Sequence, residues 1–372
     1  MKIIEIDAEQ MRIAAAGVTP LPVEQSASWD RFETASGRKP WKRLAWVDSD
    51  GKNVAIIALT RYDVRRFPYL WAKKGPVWLK SATPEREIEF RADLREYVRK
   101  HAPEIVFVRM GCWWDAPDIT TPLQSITYDR TIVINTCDGN ADAVLETFSK
   151  EGRRSIRRAQ KKLKAEGAKV VELTGLSFEE FKPLYAILEE TAQRGGFRPN
   201  PIETYWNMLQ ALGPQHARLF GIVHDGEVVA WDLILVNDNA AAAYYGASSA
   251  KSRKVLATDN LDFETALILG REGIKTLDLM GIDSPRVSSL HGVGIYKRRY
   301  AHHYSDVPAA YDMPTQPALY KALTAALNAK RTLASLPKRA KRELPHVAKQ
   351  APSSIRRALT ATWATLRAVL GK

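Results

Sequence analysis

Cysteine, histidine and long apolar runs are all scarce in this chain. Its 372 residues hold two cysteines, Cys112 and Cys137, and seven histidines. Two cysteines without metal spacing make no disulfide framework, and they read as small buried hydrophobes in a reducing compartment. His302-His303 is the one adjacent histidine pair, so metal catalysis is not expected. The longest clear apolar run, residues 54–59, has the length of a strand and falls far short of a membrane span. Residues 1–10 are acidic and lack the apolar core of a signal peptide. A cytoplasmic protein is expected, soluble or peripheral to a membrane. A Walker loop, a dinucleotide fingerprint, a paired-histidine zinc motif and a Gly-x-Ser-x-Gly elbow are missing, so none of those chemistries has its signature.

What is abundant is positive charge, and it is unevenly placed. The net charge is +13, yet residues 316–372 hold twelve basic residues against one acid, Glu343. The body is therefore close to neutral, apart from one segment. Residues 153–164 carry seven basic side chains and no acid. At helical spacing Arg153, Arg157, Lys161 and Lys164 form one stripe, and Arg154, Arg158 and Lys162 the stripe beside it. Ser149 is a plausible N-cap and Gly167 a stop. Like charges one turn apart repel, so such a face is either simply solvated or meets a polyanion.

The length suggests two or three domains. Patterning predicts strands at 43–47, 54–59 and 70–71, then a helix at 85–101 and strands at 105–108 and 131–134. After the basic helix the order recurs. A strand at 169–173 precedes a helix at 177–194, opened by a Ser177/Glu180 capping box. A short helix at 205–212 leads to strands at 217–223, 228–236 and 240–245. A helix at 260–273 and a strand at 276–280 follow. Two similar α/β units in tandem are the reading, with boundaries at 1–148 and 149–315, and a basic helical tail at 316–372. In that tail residues 353–370 place Ile355, Leu359, Trp363 and Leu366 on one face beside Arg356, Arg357 and Arg367. This pattern suits either an anionic membrane surface or packing on the body.

Four clusters can carry chemistry. Lys73-Lys74-Gly75-Pro76, flanked by Trp71 and Trp78, can hold a phosphate or sugar, or be only a turn. Thr191 to Pro199 places Arg194 and Arg198 around Gly195-Gly196 at a helix end, where forked donors can meet a ligand. In Tyr244-Tyr245-Gly246-Ala247-Ser248, strand alternation sends one tyrosine to the core and the other to the opposite face. His291 to Tyr300 sets Lys297 behind a Gly-x-Gly stretch in a basic-aromatic run, which alone is a generic nucleic-acid-like patch.

In their order and spacing these clusters resemble the FemABX family, which builds peptidoglycan cross-bridges from aminoacyl-tRNA. The resemblance spans residues 29–321. It is carried by Gly75-Pro76-Val77, the helix with Arg154, Ile156, Arg157 and Arg158, Thr191 with Arg194 and Phe197, and Tyr245 to Ser248. Asn260 opening a helix, Asp278 with Gly281, and Tyr296-Lys297 in place of the family's Phe-Lys complete it. Lys73-Lys74 depart from the family's Pro-Arg-Gly-Pro turn, and Trp29 is followed by Glu33 where a lysine is usual. The resemblance implies an α/β (α+β) fold of tandem acetyltransferase-like (GNAT) units. It implies aminoacyl-tRNA as co-substrate with no other cofactor, and a peptidoglycan precursor, UDP-MurNAc-pentapeptide or lipid II, as acceptor. Lys297 would stabilise the oxyanion. Arg194, Tyr245, Thr191, Lys74 and Trp71 would hold the muropeptide, and Arg154, Arg157, Arg158, Lys161 and Lys162 the tRNA. No carboxylate stands out as a base, so the tRNA ribose hydroxyl can shuttle the proton. Two rivals remain. One is a CoA-dependent N-acyltransferase of the same fold, for which residues 218–223 come nearest to a pyrophosphate loop but read as a strand. The other is a non-catalytic RNA- or membrane-binding protein.

Overall fold

A computed structural model describes residues 1–64, 67–122 and 127–335. The chain opens with β1 (Lys2–Ile6), α1 (Ala8–Ala15), α2 (Ala27–Ala35), β2 (Lys39–Val47), β3 (Asn53–Val64) and β4 (Phe67–Trp71). Next come β5 (Val77–Trp78), α3 (Pro84–His101), β6 (Phe107–Cys112), β7 (Arg130–Asn135), α4 (Ala141–Thr147) and α5 (Lys150–Ala165). The middle holds β8 (Lys169–Glu172), α6 (Phe178–Gly195), α7 (Ile202–Leu212), β9 (Ala217–His224), β10 (Glu227–Asn237) and β11 (Ala240–Ser248). The rest is α8 (Ala257–Arg271), β12 (Thr276–Gly281), α9 (His291–Lys297), β13 (Ser305–Asp306), β14 (Ala309–Pro314) and α10 (Pro317–Ser335).

These strands form two seven-stranded sheets, ordered β1-β2-β3-β4-β6-β14, with β5 on β3, and β13-β7-β12-β11-β10-β9-β8. Both repeat one plan. An antiparallel run ends in a strand that pairs in parallel with the next, β4 with β6 and β11 with β12. A helix makes each crossover, α3 in the first unit and α8 in the second. An antiparallel strand, β14 or β7, then flanks the parallel pair. The fold is thus mixed α/β with two acetyltransferase-like units in tandem.

The unit boundaries differ from those drawn on the sequence. β7 lies before residue 148 but pairs with β12 in the second sheet. β14 lies before residue 315 but pairs with β6 in the first. Helix α10, placed in a separate tail, packs Tyr320, Leu323 and Ala326 against Tyr69 and Phe107 of the first unit. In return α2 buries Trp29 and Phe32 among Phe181, Leu184 and Leu212 of the second. Linear patterning cannot register such exchanges, because hydrophobic spacing names a strand without naming its partner. The helix expected at 353–370, with its apolar stripe, lies outside the described residues. Among the described residues no helix is long and apolar enough to cross a membrane.

The basic segment is helix α5, capped by Ser149, whose Oγ accepts from the Gly152 amide at 3.0 Å. Packing holds it. Ile156 and Ala159 are buried against α8, and Asn260 of α8 donates to the Ala159 carbonyl at 3.0 Å. Burying one Ile side chain is worth about 1.5–3 kcal/mol. Each like-charged pair costs only about 0.2–0.5 kcal/mol, so a few buried residues outweigh the repulsion. Gly152 allows the seating: a Cβ there would lie 1.9 Å from the Arg299 carbonyl oxygen.

Candidate active site

The second sheet opens at its parallel pair. β11 and β12 are in register only over Ala240, Ala241 and Ala242 with Thr276, Leu277 and Asp278. Past that point each strand is irregular. On β11, Tyr245 lies opposite Leu233 and Ala243 opposite Ile234, which leaves Tyr244 as an extra, bulged residue. On β12 the three-residue step from Asp278 to Gly281 faces the two-residue step from Val133 to Thr131, and Met280 has φ 67°. Bulges re-aim side chains at such places. The alternation expected for Tyr244 and Tyr245 accordingly fails: both pack against the same core cluster, and both residues line one cavity of about 400 Å³. They lie nearly perpendicular, with centroids 5.3 Å apart.

Lys297 enters this cavity from α9. By itself the run 291–300 reads as a generic nucleic-acid-like patch, but its cations are drawn into ion pairs and contacts, although His291, Val293 and Ile295 stay exposed. The Gly-x-Gly stretch is helical. Arg298 pairs with Asp283 at 2.7 Å and Arg299 with Glu151 at 3.1 Å, while Tyr300 is buried. Lys297 Nζ donates to the Gly281 carbonyl at 3.1 Å. Burial pushes its ammonium below the ordinary lysine range, and Asp262, Asp278 and Asp232 hold it partly back.

Two carboxylates that sequence reading missed share the cavity, Asp232 on β10 and Asp262 on α8. Burial raises both above the usual carboxylate range; Asp262 adds to the rise at Asp232, and Asp259 to that at Asp262, while Lys297 holds both partly down. Asp262 accepts from the Tyr296 hydroxyl. Tyr296 and Tyr300 hydroxyls lie 2.7 Å apart, Tyr300 donates to Asp259 at 3.2 Å, and Ser155 of α5 donates to Asp259 at 2.9 Å. A line of polar contacts through Asp259, Tyr300, Tyr296 and Asp262 therefore joins the basic helix to the cavity. Asp232 faces Gly246 across the β10–β11 ladder. A Cβ at 246 would stand 2.3 Å from Asp232 Oδ1, so glycine there keeps the carboxylate open to the cavity. The signal in the sequence was an acid within an apolar strand and another on the buried face of a helix.

The remaining predicted residues divide. Thr191 and Tyr245 line the cavity with Lys297. Arg194 stands beside it, with its guanidinium turned to Glu190 at 3.0 Å and to Ser248 Oγ at 3.2 Å. Lys74 reaches across from the first unit to the Tyr128 hydroxyl at 3.0 Å and Asp278 at 3.7 Å. Burial works against its charge, yet Tyr128 and Asp278 hold its ammonium above the ordinary range. Trp71 does not join them. It borders a separate cavity of about 290 Å³ with Tyr69, Arg109 and Asp312. The unusual Glu33 explains its neighbourhood. Fully buried, Glu33 accepts from Trp29 Nε1 at 2.8 Å and from the Tyr62 hydroxyl at 2.6 Å, and pairs with Arg38 and with Lys73 at 3.6 Å. Lys73 is thereby closed in by Trp29, Tyr62 and Trp71, and burial lowers its pKa.

On α5, Arg154, Arg157, Arg158 and Lys161 are exposed and make no ion pair among the described residues. Lys162 differs, being paired with Glu166 at 2.8 Å. Asn260 lies within α8, one turn past its start, and does not open it. Cys112 is buried as expected, while Cys137 is only half-buried. The segment 218–223 is indeed strand, within β9, and Arg218 is held by Glu172 and Glu272. Among the described residues no group of three or more His, Cys, Asp or Glu side chains could hold a metal ion.

Residues 150–298 match a family model described as an acetyltransferase (GNAT) domain. The crystal structure of FemX is similar with a TM-score of 0.69 and 15% identity, covering 86% of this chain and 99% of that one. L-PGS from Bacillus licheniformis is similar at a TM-score of 0.48 and 13% identity, over 84% of this chain and 93% of that one. N-myristoyltransferase from Saccharomyces cerevisiae gives 0.45 and 12%, over 84% and 78%. A search of curated proteins by sequence found no match. The chain therefore has a FemABX-like fold, two GNAT-type units of which the second carries the candidate site.

Proposed function

We propose that this chain is an acyltransferase that moves an aminoacyl group from aminoacyl-tRNA to a stem-peptide amine of a peptidoglycan precursor, UDP-MurNAc-pentapeptide or lipid II. One observation carries the reading: a single unit holds both the Lys297 cavity and an exposed basic helix face, joined by the Ser155-to-Asp262 line. The aminoacyl ester is already activated, so the reaction needs no nucleotide hydrolysis. The amine nitrogen bonds to the ester carbonyl, the C–O bond to the ribose breaks, and the leaving hydroxyl takes the proton given up by the amine. The carbonyl oxygen bears negative charge in between, which a fixed ammonium in a water-poor site stabilises by several kcal/mol. Lys297 is that ammonium. Thr191 and Lys74 contact the acceptor, Tyr245 borders it where it meets the donor beside Lys297, and Arg194 stands at the rim. The exposed cations of α5 meet tRNA phosphates.

The test is transfer from alanyl-, glycyl- or seryl-tRNA to each acceptor, read by mass spectrometry as one added residue, with acetyl-CoA as the competing donor. Transfer from acetyl-CoA and none from any aminoacyl-tRNA would replace this reading with a CoA-dependent N-acyltransferase.

The basic tail adds a location to the proposal, the inner face of the cell membrane. Each Lys or Arg near an anionic leaflet contributes on the order of 1 kcal/mol. Deleting residues 353–372, which removes Arg356, Arg357, Arg367 and Lys372, is expected to release the protein from anionic liposomes in flotation. Activity should fall on a lipid-linked acceptor and hold on a soluble one. Equal loss on both would show that the segment belongs to the fold.

A further inference from the structure

We propose that the tyrosine-lined cavity takes the α-ammonium group of the aminoacyl donor, with Asp232 as its counter-ion. This deepens the reading above and rests on it.

The charges come first. Three charged side chains line the cavity, Asp232, Asp262 and Lys297, so two acids face one base. Asp262 is engaged by the Tyr296 hydroxyl, whereas Asp232 accepts no hydrogen bond from any described residue. Asp232 is half-buried and shares Lys297 with Asp262, so a second cation brought by a ligand balances the remaining charge. The walls suit the same guest. Tyr244, Tyr245 and Tyr296 line the space, and aromatic faces attract ammonium groups. Gly246 keeps the approach to Asp232 clear, as the 2.3 Å separation of a would-be Cβ from Oδ1 requires.

The donor's amine fits the site better than the acceptor's. A carboxylate clamp stabilises an ammonium and keeps it protonated. The attacking amine must lose its proton, so such a clamp would oppose it. The donor α-ammonium stays charged throughout and sits on the carbon next to the ester carbonyl. That tether sets it beside Lys297, where Asp232 and Asp262 lie. An acetyl group brings no charge and gains nothing from Asp232.

Two hydrolysis-resistant probes test this on the full-length protein by titration calorimetry: the alanyl amide of 3′-amino-3′-deoxyadenosine and its N-acetyl derivative. The native chain is expected to bind the charged probe at least about ten-fold more tightly, one cation–π or ion-pair contact being worth that much. Asp232→Asn should bring the ratio near one and leave affinity for the N-acetyl probe nearly unchanged. That second reading shows that the cavity is intact. A native ratio near one, an unchanged ratio in Asp232→Asn, or no binding of either probe would overturn the proposal. Single-turnover transfer separates it from the broader reading. Equal rates with alanyl-tRNA and N-acetylalanyl-tRNA would sink the counter-ion alone. Selective binding of the charged probe without transfer from any aminoacyl-tRNA would sink the tRNA reaction and leave the counter-ion standing.

Discussion

Lys297→Met is expected to lower single-turnover transfer by roughly 10²–10³-fold, the usual consequence of removing a group that stabilises an oxyanion. Methionine has nearly the shape of lysine but carries no charge, so the cavity walls should keep their places. The fold should tolerate the change, because Lys297 is only partly buried and its one hydrogen bond among the described residues, to the Gly281 carbonyl, is a modest term. Acceptor binding should change much less than the rate, since the oxyanion exists only during reaction. A Lys297→Met protein that turns over like the native one would remove this residue from the chemistry. A matched loss of acceptor affinity would make it a binding group instead.

The second large effect concerns α5. Converting Arg154, Arg157 and Arg158 to Glu should weaken tRNA binding by about 100-fold at moderate salt and flatten the salt dependence by roughly three counterions. These three are chosen because they are exposed and unpaired among the described residues, whereas Lys162 is occupied by Glu166. Buried Ile156 and Ala159 are untouched, so the helix should remain docked. Binding measured by filter retention across a salt series reads both quantities. Unchanged affinity with an unchanged slope would leave α5 as a merely solvated face.

Much of the second unit was legible because its local signals agree with its final partners. The Ser177/Glu180 box opens α6, the strands expected at 217–223 and 228–236 pair as β9 and β10, and the basic stripe of α5 is a stripe in space. The tyrosine pair was found, but its geometry was not. Period two assumes a regular ladder, and the bulge at Tyr244 is decided by how β10 meets β11. Helix α9 was hidden because Gly292 and Gly294 look like a loop, although Gly294 is what leaves room for Asp283. Asp232 and Asp262 went unread as a pair because they are far apart in the chain, and only the packing of α8 on the sheet brings them together. Trp71 was misplaced for the opposite reason. Nearness to Lys74 in the chain said nothing of the Glu33 cluster, where Lys73 pairs with Glu33 and lies over the Trp71 ring.

The exchange of strands between the two sheets has a bearing on how the chain can be divided. A cut at residue 148 strands β7 with the first piece, and a cut at 315 strands β14 with the second. The second sheet would lose the neighbour that holds β12 against the cavity, and its core would also lose Trp29 and Phe32. A break ahead of β7 keeps the second sheet whole but still takes Trp29 and Phe32 from its core. The first unit thus reaches the cavity side both through Lys74 and through the helix it lends, so damage to its interior is expected to be felt at Lys297.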